Sequence, residues 1–237
     1  MRWTDRTITD FHDTDINKYV KPSALIRYFQ SACDHQMNAQ HPSSDELLAE
    51  NKAFFLSRMA VKFHGRLEKA EEIEVDTWAA PSRGYTFMRC GEIRKDGRII
   101  MQVDTAWSLV DIRNRKPIKT EDVTVNYGMD DYVECGAPLR FALPRDATFE
   151  KTDTRIIRYS DADFNGHMNN TKYPDILCDN CPEIPRKEVS EICISFLSEA
   201  PMGTSFDIYR YKAEDGYYFK TVKEDGSAGI NARITLK

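Results

Sequence analysis

"DADFNGH", residues 161 to 167, and "DTDINKY", residues 13 to 19, are two copies of one short motif. Asp161, Asp163 and Asn165 stand where Asp13, Asp15 and Asn17 stand, and His167 stands where Tyr19 stands. A motif repeated at this separation in a chain of 237 residues suggests a duplicated unit.

The surroundings of the two copies agree. After the first, Leu25, Phe29, Ala32 and Cys33 recur at helical spacing and predict one apolar stripe, with a helix end near His41-Pro42. After the second, Tyr173, Ile176, Leu177 and Cys181 predict a second helix of the same kind. Pro174 belongs in its first turn, so Asn170 or Thr171 is the expected N-cap. Strands follow in both halves. "EIEVDTW" alternates, with Ile73, Val75 and Thr77 on one face. Hairpins are expected around Lys95-Asp96-Gly97 and Glu224-Asp225-Gly226. Ser43 to Glu46 spell a capping box that opens a short extra helix in the first half.

One helix beside a long antiparallel sheet buries both apolar faces if the sheet wraps the helix. The expected fold class is therefore α+β, with two such units in tandem. The expected boundaries are residues 1–122 for the first unit, 123–152 for a linker with weak patterning, Pro138 and Pro144, and 153–237 for the second unit.

Composition narrows the function classes. Hydrophobic residues make up 41% and charged residues 30%, as in an ordinary globular protein. A net charge of −5 argues against general nucleic-acid binding. No apolar run reaches the ~18–20 residues of a membrane span, and the N-terminus shows neither an apolar signal core nor an Arg- and Ser-rich leader. The six cysteines fall at irregular spacings and read as free thiols of a cytoplasmic protein. Cys178 and Cys181 lack the second ligand pair of a structural zinc site.

The motif at 161 to 170 has three rival readings. As an EF-hand loop it fails at position 12, where Lys172 replaces the bidentate Glu, and "TRIIRYS" before it reads as a strand. As a transition-metal site it offers one His, and the other four histidines lie in the first half. As a polar turn it needs neither a His nor a distant carboxylate. Aligning the strands of the halves lays "ISFLSEAPMGTSFDI" over "VKFHGRLEKAEEIEV", so that Glu199 matches Arg66. The second copy thus carries His and Glu where the first carries Tyr and Arg. His and Glu can move protons, while Asn165 and backbone N–H groups at a helix start can hold an oxyanion. That set suits acyl transfer to water.

These residues resemble a known family. "DADFNGHMNNTKY" is similar to the DxNxHxNNxxY signature of the acyl-acyl carrier protein (acyl-ACP) thioesterases, and "FFLSRMAVKFHGRLEKAEEIEVDTWAAP" and "AWSLVDIRNRKPIK" look like that family's first-half blocks. The resemblance covers most of the chain in order. It implies tandem hotdog domains, a pseudo-dimer, and hydrolysis of fatty acyl thioesters on acyl carrier protein; no cofactor or metal is expected. It assigns catalytic roles to Asp163, Asn165, His167 and Glu199. Some members carry a Cys directly after that Glu; here the position is Ala200, which removes a thiol nucleophile.

On this reading Glu199 is the first candidate for general base, with His167 orienting and protonating, and the swapped division stays open. Asp163 is expected to anchor the loop and fix the imidazole tautomer. The first domain is expected to hold the acyl chain, with Met59, Val61, Phe63, Trp78 and Trp107 as candidate walls. The expected partner is an acidic carrier bearing acyl-phosphopantetheine, met by a local basic patch such as Arg113 to Lys119 or Arg186-Lys187. An acyl-CoA thioesterase or a non-catalytic acyl-binding module are the alternatives, and the tandem unit could be a monomer or a homodimer.

Overall fold

The computed structural model describes all 237 residues. The first half runs β1 (Trp3–Ile8), α1 (Pro22–Gln40), α2 (Ser44–Ala49), β2 (Lys52–Phe63), β3 (Glu72–Arg83), β4 (Thr86–Lys95), β5 (Arg98–Asp111) and the short β6 (Lys116–Pro117). The second half runs β7 (Glu150–Ile156), α3 (Tyr173–Asp179), β8 (Val189–Phe196), β9 (Ser205–Lys212), β10 (Gly216–Lys223) and β11 (Ala228–Leu236).

All eleven strands form one antiparallel sheet in the order β1-β3-β4-β5-β2-β8-β11-β10-β9-β7, with β6 on β5. Read outward from the β2–β8 seam, the two halves have the same order: β2-β5-β4-β3-β1 on one side, β8-β11-β10-β9-β7 on the other. This is the tandem hotdog arrangement, with two helices against one continuous sheet. The seam pairs Arg58 with Ser195 and Lys62 with Glu191, and an ion pair joins the latter two.

Both tight hairpins form at the expected places. Asp96 and Gly97 take φ of 50° and 75°, the left-handed values that a two-residue turn needs. The capping box forms too: the Ser43 hydroxyl accepts from the Glu46 amide, and the Glu46 carboxylate accepts from the Ser43 amide. The stripe of α1 packs on the sheet, with Phe29 fully buried against Gly91 of β4. A Cβ at Gly91 would stand 2.3 Å from the Phe29 ring, so a side chain there would displace the helix.

The second helix departs from expectation. It has only seven residues, and Cys181 lies beyond its end at Asn180. Pro182 disfavours helical backbone at Cys181, which stops the helix one residue earlier. Neither Asn170 nor Thr171 caps it: a 3-10 turn, Asn170–Lys172, leads into α3, whose N-cap position is Lys172 with no side-chain bond, and Asn169 caps the turn instead, its Oδ1 accepting from the Thr171 amide.

Between the halves, Tyr127 and Gly128 stay on the helix side, bonded to Pro42 and Gln40, and residues 131–141 run over the opposite face of the sheet. Trp78 Nε1 donates to the Asp131 carbonyl, Tyr132 and the Cys135 amide both donate to buried Asp104, and Cys135 and Ala137 pack on Ala60 and Cys193 at the seam. Burial pushes the Asp104 carboxyl above its ordinary range, against those two hydrogen bonds. No helix is long and apolar enough to cross a membrane. All six cysteines are free thiols.

Candidate active site

The two copies of the motif fold alike. In the first, Asp15 Oδ1 accepts from the amides of Asn17 and Tyr19, and the Asp15 amide donates to the Tyr19 carbonyl at 2.7 Å. In the second, Asp163 Oδ1 accepts from the Asn165 amide, and the Asp163 amide donates to the His167 carbonyl at 2.9 Å. Each is an Asp-initiated turn of the kind that short polar side chains favour. The left-handed residue is Lys18 in one (φ 70°) and Gly166 in the other (φ 76°). Asp161 is structural: it is buried, and its carboxylate accepts from the Arg158 amide and pairs with Arg155. Burial acts to raise its pKa, but these two partners hold it below the ordinary range.

A second strand of backbone bonds fixes the partner position. The Val20 amide donates to the Leu67 carbonyl at 2.7 Å, and the Met168 amide donates to the Ala200 carbonyl at 2.8 Å. Position 66 therefore stands beside position 19 as position 199 stands beside 167. The side chains follow. Arg66 lies over the Tyr19 ring, 4.5 Å from its centroid. Glu199 Oε1 lies 3.4 Å from His167 Nδ1. One site is a cation on an aromatic ring; the other is a carboxylate on an imidazole. Both members of the second pair are partly open, at 31% and 47% side-chain exposure, as residues that must meet a substrate are.

The aspartate expected to fix the imidazole does not reach it. The Asp163 carboxylate turns back to the Asn165 amide, and the carboxylate at His167 Nδ1 belongs to Glu199. Nor does the helix start offer a row of open amides: Thr171 N–H is held by Asn169 Oδ1, and Lys172 N–H by the Asn169 carbonyl. The Asn170 amide and the exposed Asn165 side chain keep their donors without a protein acceptor.

A cavity of about 860 Å³ begins at this pair and runs into the first half. Asp163, Asn165, His167 and Glu199 all line it, together with Met37 of α1, Leu47 of α2, Phe54 and Leu56 of β2, Phe87 of β4 and Trp107 of β5. Of the five expected wall residues, only Trp107 is there. Met59, Val61 and Phe63 share the inner face of β2 but are packed in the main core with Leu25 and Phe29. The helix already covers their part of the sheet; the cavity opens past it, where Phe54 and Leu56 precede a bulge at Ser57. Trp78 fails for a different reason. Thr77 points inward to Cys33, so the two-residue period turns Trp78 to the opposite face, under Arg2 and the inter-half segment.

The basic segment Arg113 to Lys119 is exposed and leads directly into Thr120 and Glu121 at the cavity rim. Lys187 is paired with Glu183.

Comparisons with known proteins give the family. The model of the acyl-ACP thioesterase N-terminal domain matches residues 2–127, and that of the acyl-ACP thioesterase C-terminal domain matches residues 145–235. A sequence search of curated proteins found no significant match. Among solved structures, an acyl-ACP thioesterase from Bacteroides thetaiotaomicron superposes with a TM-score of 0.85 at 18% identity, covering 100% of this chain and 98% of that one. The 12:0-ACP thioesterase from Umbellularia californica gives 0.85 at 14% identity, covering 100% and 97%. At these identities the superpositions show a shared fold, while the two sequence models span both halves in order. The chain belongs to the acyl-ACP thioesterase family, whose members are thioester hydrolases of fatty acyl-acyl carrier protein.

Proposed function

We propose that the second motif copy is the working site of this hydrolase and that His167 and Glu199 act as one unit. The observation that carries the reading is their contact at the mouth of the cavity, set against Tyr19 and Arg66 at the matching place. A carboxylate at Nδ1 holds that nitrogen protonated and leaves Nε2 as the base, and His167 Nε2 has no protein partner. Nε2 takes a proton from water as the water oxygen attacks the thioester carbonyl. Asn165 and the Asn170 amide donate to the carbonyl oxygen as it gains charge. The imidazolium then gives its proton to the departing phosphopantetheine sulfur, leaving free acid and carrier thiol. Asp163 and Gly166 set the loop that aims His167.

The apolar walls formed by Met37, Leu47, Phe54, Phe87 and Trp107 suit an acyl chain and support chain selection in the first half. The carrier docks with its acidic surface on the exposed Arg113 to Lys119 segment, close to the rim. The chain divides functionally as 1–122, 123–152 and 153–237. Loss of the His–Glu pair from the first copy makes the tandem unit a one-site enzyme, complete as a monomer.

The test is release of free thiol from acyl-ACP and acyl-CoA panels of graded chain length. Faster turnover of acyl-ACP at some chain length supports the reading. Equal or faster turnover of acyl-CoA points to the acyl-CoA alternative, and release from neither points to a binding module.

A further inference from the structure

The cavity wall carries a buried positive charge that no acid answers. Arg89 of β4 is 7% exposed. Its Nη1 donates to Gln36 Oε1 and, at 3.0 Å, to Thr77 Oγ1, and its guanidinium lies 5.4 Å from the Tyr127 ring centroid. Nε and Nη2 have no protein acceptor, and no carboxylate lies within ion-pair distance. The contrast within the chain is sharp. Arg210 is paired with Glu150, and Arg233 with Glu191 and Asp215. Asp34, also on the cavity wall, is exposed and accepts from Asn38. Buried charges are ordinarily paired, because an unpaired one loses its hydration without return.

Arg89 is also well placed. It lies in one cross-strand row with Thr105, Met59 and Ile194, so three strand spacings of ~4.8 Å put it about 14 Å across the sheet from β8, the strand that leads to Glu199. It therefore stands on the part of the cavity remote from His167, closed over by Tyr127. A second donor in the wall is also unanswered: Gln30 Nε2 is shielded from solvent and has no hydrogen-bond partner.

We infer that this remote part of the cavity binds an oxygen function on the far portion of the acyl chain, a carboxylate above all, with Arg89 as the specificity-determining residue. The inference rests on the reading that the cavity holds the acyl chain. A carboxylate supplies the anion that the guanidinium lacks and can accept from Nε and Nη2 together, the fork geometry that arginine favours. A hydroxyl fills the same place with one bond and no charge. A plain alkyl chain leaves the donors unanswered.

The experiment compares kcat/KM for three carrier thioesters of equal chain length, ending in methyl, hydroxyl or carboxylate, with the unaltered enzyme and with Arg89→Met. The unaltered enzyme should hydrolyse the ω-carboxyacyl thioester at least as well as the plain one. Arg89→Met should lower the carboxyl-to-methyl ratio by at least about tenfold, the loss expected when a charge-assisted hydrogen bond is removed, and the hydroxyl-to-methyl ratio by less. Using the ratio cancels any loss of folded protein. Should the Met variant fail to accumulate, Arg89→Lys serves: it keeps the charge, loses the fork, and should lower the same ratio less steeply. An unaltered enzyme that prefers the methyl chain by about tenfold or more, or a ratio that does not move in the variants, overturns the inference. If the plain thioester is hydrolysed while the carboxylated one is rejected, only this inference falls. If none of the three is hydrolysed, the thioesterase reading falls with it.

Discussion

Glu199 Oε1 lies 3.4 Å from Nδ1 of His167, the nitrogen that a carboxylate can hold protonated. If the carboxylate orients and the imidazole takes the proton, the side-chain oxygen of Glu199→Gln can take the carboxylate's place facing Nδ1–H. That variant should keep at least about tenfold more activity than Glu199→Ala, because orientation survives while charge is lost. Equal losses in steady-state kcat for the two variants would instead make Glu199 the base.

Tyr19 and Arg66 occupy the matching place in the first copy, yet neither belongs to the cavity lining. Tyr19→Phe and Arg66→Ala should leave kcat for acyl-ACP within about threefold of the parent, well short of the ~10²-fold that acid–base groups contribute. A loss on that larger scale, measured by thiol release, would mean that the first copy takes part in the chemistry.

Duplication was legible because the repeated unit is polar turn chemistry. Asp15 and Asp163 make the same bonds to backbone amides, and those bonds need Asp at one fixed position. The Arg66–Glu199 match was legible too, once the strands were aligned. The cavity was not. Met59, Val61 and Phe63 read as one apolar face, and they are one; which stretch of that face a helix covers is decided by packing across four other strands. Arg89 gave no sequence signal, since an arginine without a partner looks like any other until its burial is known. The shortness of α3 had a signal in Pro182, overridden by the apolar spacing that ran on to Cys181.

The wall residues predict a change in chain preference. Met37 lines the cavity from α1, and Met37→Trp should shift the maximum of kcat/KM toward shorter acyl chains while the rate on the shortest chains persists. A chain-length profile measured on acyl-ACPs that stays in place would put the acyl chain elsewhere.

Asp104 predicts a pH-dependent stability. Burial raises its folded-state pKa, so the folded protein binds this proton more readily than the unfolded chain, and the group weakens the fold as pH rises through the folded pKa. Both Tyr132 and the Cys135 amide donate to Oδ2, while buried Oδ1 has no partner. Asp104→Asn can keep both bonds on its oxygen and needs no charge. It should be more stable than the parent at pH 7 by about 1 kcal/mol in urea unfolding, with the gap closing as the pH is lowered toward the ordinary carboxylate range. A variant less stable at pH 7 would show that the charge itself holds the inter-half segment.

The most direct measurement is single-turnover thiol release from acyl-ACP by the parent, His167→Ala, Glu199→Ala and the double variant, each checked for an unchanged melting temperature. If the two residues work as one unit, each single variant loses at least about 10²-fold in rate and the double variant loses little more than the worse single. Near-normal release by folded His167→Ala or Glu199→Ala contradicts the account.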